Sequence, residues 1–154
     1  MAQALFANHR EANLSSTIAL VEEVLGELGY PVEAARTPIK DAAYAWKIAK
    51  GSATSLITLV DRAEFTHIRV SATVMTLDHT VDRKELFAHL LELNAGLAGA
   101  AFATEGDHVL LLSERSTLDL DRSEVLDLVR RVITSADHHD DALVARFGGR
   151  IGAT

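Results

Sequence analysis

The stretch HIRVSATVMTL, residues 67–77, constrains the fold more than any other part of this chain. Ile68, Val70, Ala72 and Val74 fall on one side of it, and His67, Arg69, Ser71 and Thr73 on the other. Side chains of a strand point alternately to opposite faces of its sheet, so this run predicts a strand packed on one face and open on the other. One-sided burial is characteristic of antiparallel sheets. The packed face requires a cover, and the rest of the chain must supply it.

Further strands are legible around this one. Tyr44, Trp46 and Ile48 alternate with Ala45, Lys47 and Ala49, which predicts a half-buried strand ending at a Lys50-Gly51-Ser52 turn. Leu56 to Val60 reads as another, followed by a charged turn over Asp61 to Glu64. Val32 to Arg36 is a weaker strand candidate. GAAFATEGDHVLLLSE predicts a hairpin that turns at Gly106.

The cover comes from helices. Leu14, Ile18, Val21, Leu25 and Leu28 recur at helical spacing and predict a first helix from about Ser16 to Leu28. Ser15 or Ser16 suits its cap, and Gly29 the left-handed residue that ends it. Tyr30-Pro31 then directs the chain into an extended exit. Residues 1 to 12 show no period and read as loose chain or a short helical lead-in. Two later helices start alike. Asp82, Glu85 and the pair Val81 with Leu86 form one predicted capping box and hydrophobic staple; Asp121, Glu124 and the pair Leu120 with Val125 form the other. The last helix runs from Arg122 to about Phe147, and residues 148–154 read as a flexible tail. The expected fold is therefore α+β, an antiparallel sheet with helices packed on it. One domain is expected over residues 1–154, with an ordered core over about 14–147.

Composition narrows the functional classes. The chain has 154 residues, 48% of them hydrophobic, and no cysteine, which excludes disulfides, thiolate nucleophiles and cysteine-ligated zinc. Its formal net charge is −7, with no offsetting basic cluster, and aromatic residues make up only 5%. Neither phosphate-backbone binding nor base stacking is expected from such a surface. No apolar run reaches the length of a membrane span, and the N-terminus lacks the pattern of a secretory signal. A cytoplasmic location is the expectation, with no nucleic-acid or membrane partner.

The densest concentration of candidate ligands is SADHHDDALVARFGG, residues 135–149. At about 100° per residue, His139 falls inside the apolar stripe of the last helix and Asp140 on its margin, while His138 and Asp141 point away. His138 with Asp141, aided by Asp137, offers at most three ligands and no second histidine on that face, short of what zinc requires. A solvated helix face is the expected role, with no metal and no cofactor. His139 is expected to pack half-buried or to meet a second subunit, where its protonation would matter.

No nucleophile elbow, phosphate loop or dinucleotide fingerprint is present, and no catalytic residues are assigned. In RKELFAHLLELNAGL, Leu86, Phe87, Leu90, Leu91, Leu93, Asn94 and Leu97 form an apolar arc wider than one sheet contact requires. A partner subunit is the simplest second contact. Asn94 lies within that arc, and its amide is expected to bond main chain, either ending the helix or tying it to the next strand.

The segment from Glu85 to Gly149 resembles the YbjN family, which shares the fold of type III secretion chaperones. The residues that carry the resemblance are LLELN ending a helix, AAFA opening the hairpin and LDRSEVLDLVRRVITSAD in the closing helix, with YAWKI and IRVSATVMTL upstream. The resemblance spans about residues 14–149. It implies an α-βββ-α-ββ-α order, often a dimer, and a surface that holds an extended segment of a client protein or peptide. It also implies a larger apolar or aromatic residue at the place of His139, consistent with a contact role. YbjN-like proteins are linked to stress and regulation. The expected function is a non-catalytic peptide-binding module, chaperone-like or a regulatory adaptor; a small-molecule-sensing regulatory domain is the alternative. The expected partner or dimer contacts are Tyr44, Trp46, Leu56, Phe87, Leu91 and His139.

Overall fold

The computed structural model describes residues 2–50, 53–62 and 65–152. In chain order they form helix α1 (Ala2–Glu27), helix α2 (Val32–Ala35), strands β1 (Tyr44–Lys50), β2 (Ala53–Asp61) and β3 (Thr66–Thr76), helix α3 (Arg83–Gly96), strands β4 (Ala101–Glu105) and β5 (His108–Ser116), helix α4 (Arg122–Phe147) and strand β6 (Arg150–Ile151). The architecture is α+β, with an antiparallel sheet in the order β1-β2-β3-β5-β4 and β6 paired to β3.

The alternation of β3 settles which face is covered. Ile68, Val70, Ala72 and Val74 are buried, and so are their register partners Leu59, Ile57 and Ser55 on β2 and Leu111 on β5. Trp46 and Ile48 of β1 continue this face. Helices α1 and α4 cover it, with Val21, Val24 and Leu25 from α1 and Val125, Val129, Val132 and Leu143 from α4. On the opposite face, Leu56, Arg69, Ser71, Thr73, Leu110 and Leu112 are half-buried, while the buried residues of the described helices cluster with the covered face.

Both helix starts are capped as the sequence predicts, to different degrees. Asp121 accepts from the Glu124 N–H while the Glu124 carboxylate accepts from the Asp121 N–H, a complete capping box. Asp82 accepts from the N–H groups of Lys84 and Glu85, but the cap is one-sided. At the end of α1, Gly29 takes φ +83°, Tyr30 N–H donates to Leu25 O and Gly29 N–H to Gly26 O. That pair of bonds is the Schellman arrangement.

Four expectations are corrected. Helix α1 begins at Ala2, fourteen residues before Ser16, because a helix propagates through residues of adequate propensity without an apolar stripe of its own. Ser16 is accordingly no cap: inside the helix, its hydroxyl donates back to Ala12 O and Asn13 O. Val32 to Arg36 is not a strand. Pro31 stands at an N-cap position and Val32–Ala35 make one helical turn, after which Arg36 forms a single bridge to Trp46. The chain after α4 is not loose as far as Gly152. Strand β6 pairs with Met75 and Thr76, Gly152 N–H donates to Val74 O, and the Thr76 hydroxyl donates to Gly152 O. Gly149 permits this approach: at φ +79°, a Cβ there would lie 2.6 Å from Thr76 O. The expected turns at Gly51-Ser52 and Ala63-Glu64 lie outside the described residues.

Candidate functional site

Helix α3 lies beside β4 and against α4. Its attachment runs through Asn94, whose Oδ1 accepts from Phe102 N–H at 2.7 Å and whose Nδ2 donates to Phe102 O at 3.2 Å. Glu85 pairs with Arg146 of α4 at 3.6 Å, and the rings of His89 and Phe147 stand 5.4 Å apart. These contacts bury Leu86 and Leu90 and leave much of the arc uncovered. Phe87 is half-buried, and Leu91 is 70% exposed, the most exposed large apolar side chain among the described residues. Phe87 and Leu91 are four residues apart and share one side of α3.

The six expected contact residues do not form one surface. Phe87 and Leu91 make the α3 patch. Tyr44 is half-buried on the covered side of the sheet, with its ring 4.8 Å from that of Trp46. Leu56 is half-buried on the open side, opposite Ser71 of β3 and Lys47 of β1. Trp46 is a correction. It is 0% exposed and its indole N–H donates to Glu22 Oε1 at 3.2 Å, so it anchors α1 to β1 and presents nothing to a partner. Glu22 also accepts from Arg36, and that bond, against the opposing effect of burial, holds its carboxyl below the ordinary range.

His139 is half-buried and meets the Phe102 ring edge-on at 5.3 Å. Burial, followed by the neighbouring His138 and His89, lowers its pKa below the ordinary 6.5. Its neighbour Asp140 overturns the expectation of a marginal position. Asp140 is 6% exposed and sits within the buried stripe between Ala136 and Leu143. From Ala136, a step of four residues returns to within about 40° of the same direction, while a step of three misses by about 60°. Among the described residues, no three side chains of metal-ligating type converge.

Sequence reasoning missed a cleft of about 580 Å³ lined by Gly99, Ser113, Arg115, Glu124, Leu128 and Arg131, among others. It lies between β5, the start of α4 and the loop before β4. Arg115 of β5 pairs with Glu124 of α4 across it, and Arg131 pairs with Asp127 one turn away along α4. Arg131 also donates to Ala98 O at 2.8 Å, and the Ser113 hydroxyl to Gly99 O at 2.6 Å. The sequence carries no signal for it: GAAFATE and HVLLLSE flank the Gly106 turn with equal arms, whereas in the structure β4 has five residues against nine in β5. No helix among the described residues is long and apolar enough to cross a membrane.

Comparison with known proteins places this geometry. Among curated proteins, none matches the chain. Solved structures do. A chain of the ExsC-ExsE complex superposes with a TM-score of 0.65 at 16% identity, over 84% of this chain and 94% of that one. A chain of the HopA1-SchA chaperone-effector complex superposes with a TM-score of 0.55 at 12% identity, over 85% and 97%. At such identities the likeness is one of fold. The family model described as T3SS (YopN, CesT) and YbjN peptide-binding chaperone 1 matches residues 16–153. With nearly the whole chain matched, this protein belongs to that family of peptide-binding chaperones.

Proposed function

We propose that the protein is a non-catalytic chaperone module that holds an extended segment of a client protein. The observation that carries the reading is the family match over residues 16–153. The geometry supports it in two ways. Helix α3 keeps an apolar side, Phe87 with Leu91, beyond what its own fold covers. The sheet also has a face opposite the core that the described helices bury, and Leu56 lies half-buried on it. Extended segments bind such surfaces by adding main-chain hydrogen bonds at strand edges and by seating apolar side chains in grooves.

The reading includes a cytoplasmic homodimer in which Phe87, Leu91 and His139 meet a second copy, leaving Tyr44 and Leu56 to the client. Truncated apolar contacts of this kind are expected to weaken association with little effect on folding where the side chain is already exposed. The test is sedimentation of the full chain with and without the Leu91→Glu change. A dimer that dissociates in the variant supports the reading. A wild-type chain that sediments as a monomer removes the dimer from it.

A further inference from the structure

Strand β4 is shorter than its partner. Its last pair with β5 is Ala101 with Leu112, so residues 113 to 116 of β5 continue with no strand on that side. The parity of the ladder shows which groups are left over. Asp107 O accepts from Leu77 N–H at one end of β5, and Thr117 N–H donates to Thr66 O at the other. Between them the register advances along β5 without interruption, the one irregularity falling on β3 at Thr73/Met75. Odd-numbered residues therefore bond β3, and even-numbered ones face β4. The N–H and C=O of Glu114 and the N–H of Ser116 point into the gap. Ser116 O is reached by the Arg115 guanidinium at 3.3 Å.

The chain leading into β4 does not fill this gap. At Gly99, with φ +69°, it turns off the ladder toward α4, where Ser113 and Arg131 hold the carbonyls of Gly99 and Ala98. The 580 Å³ cleft lies at this point. A comparable shortfall elsewhere in the sheet is closed from within: β3 outruns its pairing with β2 at Ala72, and β6 pairs with Met75 and Thr76 beyond it. Among the described residues, nothing does the same for Glu114 and Ser116.

We infer that the main-chain edge of Glu114 to Ser116 is a strand-addition slot for an extended client segment of three or four residues, aligned with β4 and antiparallel to β5. This inference rests on the chaperone reading above and names one subsite of it. Main-chain groups specify an extended peptide as the occupant, because it offers a donor and an acceptor at every second residue. The cleft specifies its side chain. The residue opposite Ser113 or Arg115 points over Leu128, and both arginines there already carry a carboxylate partner. An uncharged, short side chain such as Ser, Thr, Ala or Val fits where a charged one would compete with an existing ion pair.

The test selects unbiased twelve-residue peptides, displayed on phage, against the immobilised full chain, and measures the best of them against two variants. Ser116→Pro deletes the outward N–H, a position where a strand tolerates proline because β3 does not use that donor. Ser116→Ala keeps the N–H and serves as control. The expected result is a loss of about tenfold in affinity for Ser116→Pro and no change for Ser116→Ala, the size of one main-chain hydrogen bond with its local fit. Hydrogen exchange on the wild-type complex supplies a second readout that decides the matter should the proline variant not fold. The Glu114 and Ser116 amides are expected to become protected only when peptide is present. Peptides that bind both variants alike, or that protect the β1 edge and leave 114 and 116 open, overturn the slot while leaving the chaperone reading intact. Protection of these amides by raised protein concentration alone assigns the edge to a second copy and also overturns it. A wild-type chain that selects no peptide contradicts the chaperone reading itself, and the slot with it.

Discussion

Asn94 holds the main chain of Phe102 from both sides, its Oδ1 receiving the Phe102 N–H and its Nδ2 reaching the Phe102 carbonyl. One side chain in the apolar arc of α3 thereby supplies the strand bonds that an edge residue would otherwise leave unmade. The helix is fixed to β4 at this point, and the orientation of its uncovered side follows from it.

Removing that clamp should loosen α3 without disturbing the rest of the sheet. Asn94→Ala is expected to lower unfolding stability by about 1–3 kcal/mol, the cost of leaving partly buried main-chain groups unpaired. Urea titration measures it. A midpoint unchanged from wild type would show that water replaces the amide at no cost.

Leu90 and Leu91 are adjacent, and their exposures of 4% and 70% predict opposite outcomes for the same change. Leu90→Glu buries an unpaired carboxylate and is expected to unfold the domain. Leu91→Glu is expected to change stability by no more than about 0.5 kcal/mol, as for most surface positions. Thermal melting of the two variants side by side checks this. Equal destabilisation would mean that Leu91 is packed.

Glu114 accepts from Arg62 and from Arg69 on the open face of the sheet. The Arg62 bond, with Arg69 adding to it against the effect of burial, lowers its carboxyl below the ordinary 4.5. A carboxylate depressed in the folded state contributes stability that is full above its unfolded value and is lost as pH falls through its folded value. Glu114→Gln is therefore expected to be less stable at neutral pH and to lose less on acidification from about pH 6 to about pH 3.5. Parallel acid slopes for variant and wild type would contradict this.

His139 works in a higher window. Burial is the main cause of its lowered pKa, so the unfolded chain takes up a proton more readily than the folded one below the ordinary 6.5. Stability is full above that value and declines as pH falls from it through the folded value. His139→Leu is expected to flatten the change in stability between about pH 7.5 and about pH 5.5. Urea titrations at the two pH values check the sign. A decline as steep as in wild type, or steeper, would contradict this.

How much of this was legible beforehand differs from residue to residue. The alternation of Ile68 to Val74 and the caps at Asp82 and Asp121 were readable because each is a local pattern; for Asn94 the sequence allowed two main-chain roles, ending the helix or tying it to the next strand, and its bonds to Phe102 decide for the tie. The early start of α1 was not, because residues 2–12 carry no apolar period. Val32–Ala35 and Arg150–Ile151 are too short for any period, and tertiary contacts decide them. Asp140 was misplaced because the helical projection at about 100° per residue leaves a residue near the edge of a stripe undecided, and the packing of α4 settles it as buried. Trp46 shows the limit for contact residues: a large aromatic on a strand suits an interface and a core equally, and only the position of Glu22 across from it decides. The gap beside β5 was not legible, because the two arms of the hairpin are equal in the sequence and the turn of the chain at Gly99 that shortens β4 is a tertiary feature.

The central claim is that this chain acts by holding an extended stretch of another polypeptide. The most direct measurement is limited proteolysis of whatever co-purifies with the intact protein from native lysate, followed by mass-spectrometric mapping of the surviving fragment. A contiguous client fragment that stays bound at fixed stoichiometry, and is digested once released, is the predicted result. A protein that emerges alone, or a partner held as an intact folded domain with no protected extended segment, would contradict the account.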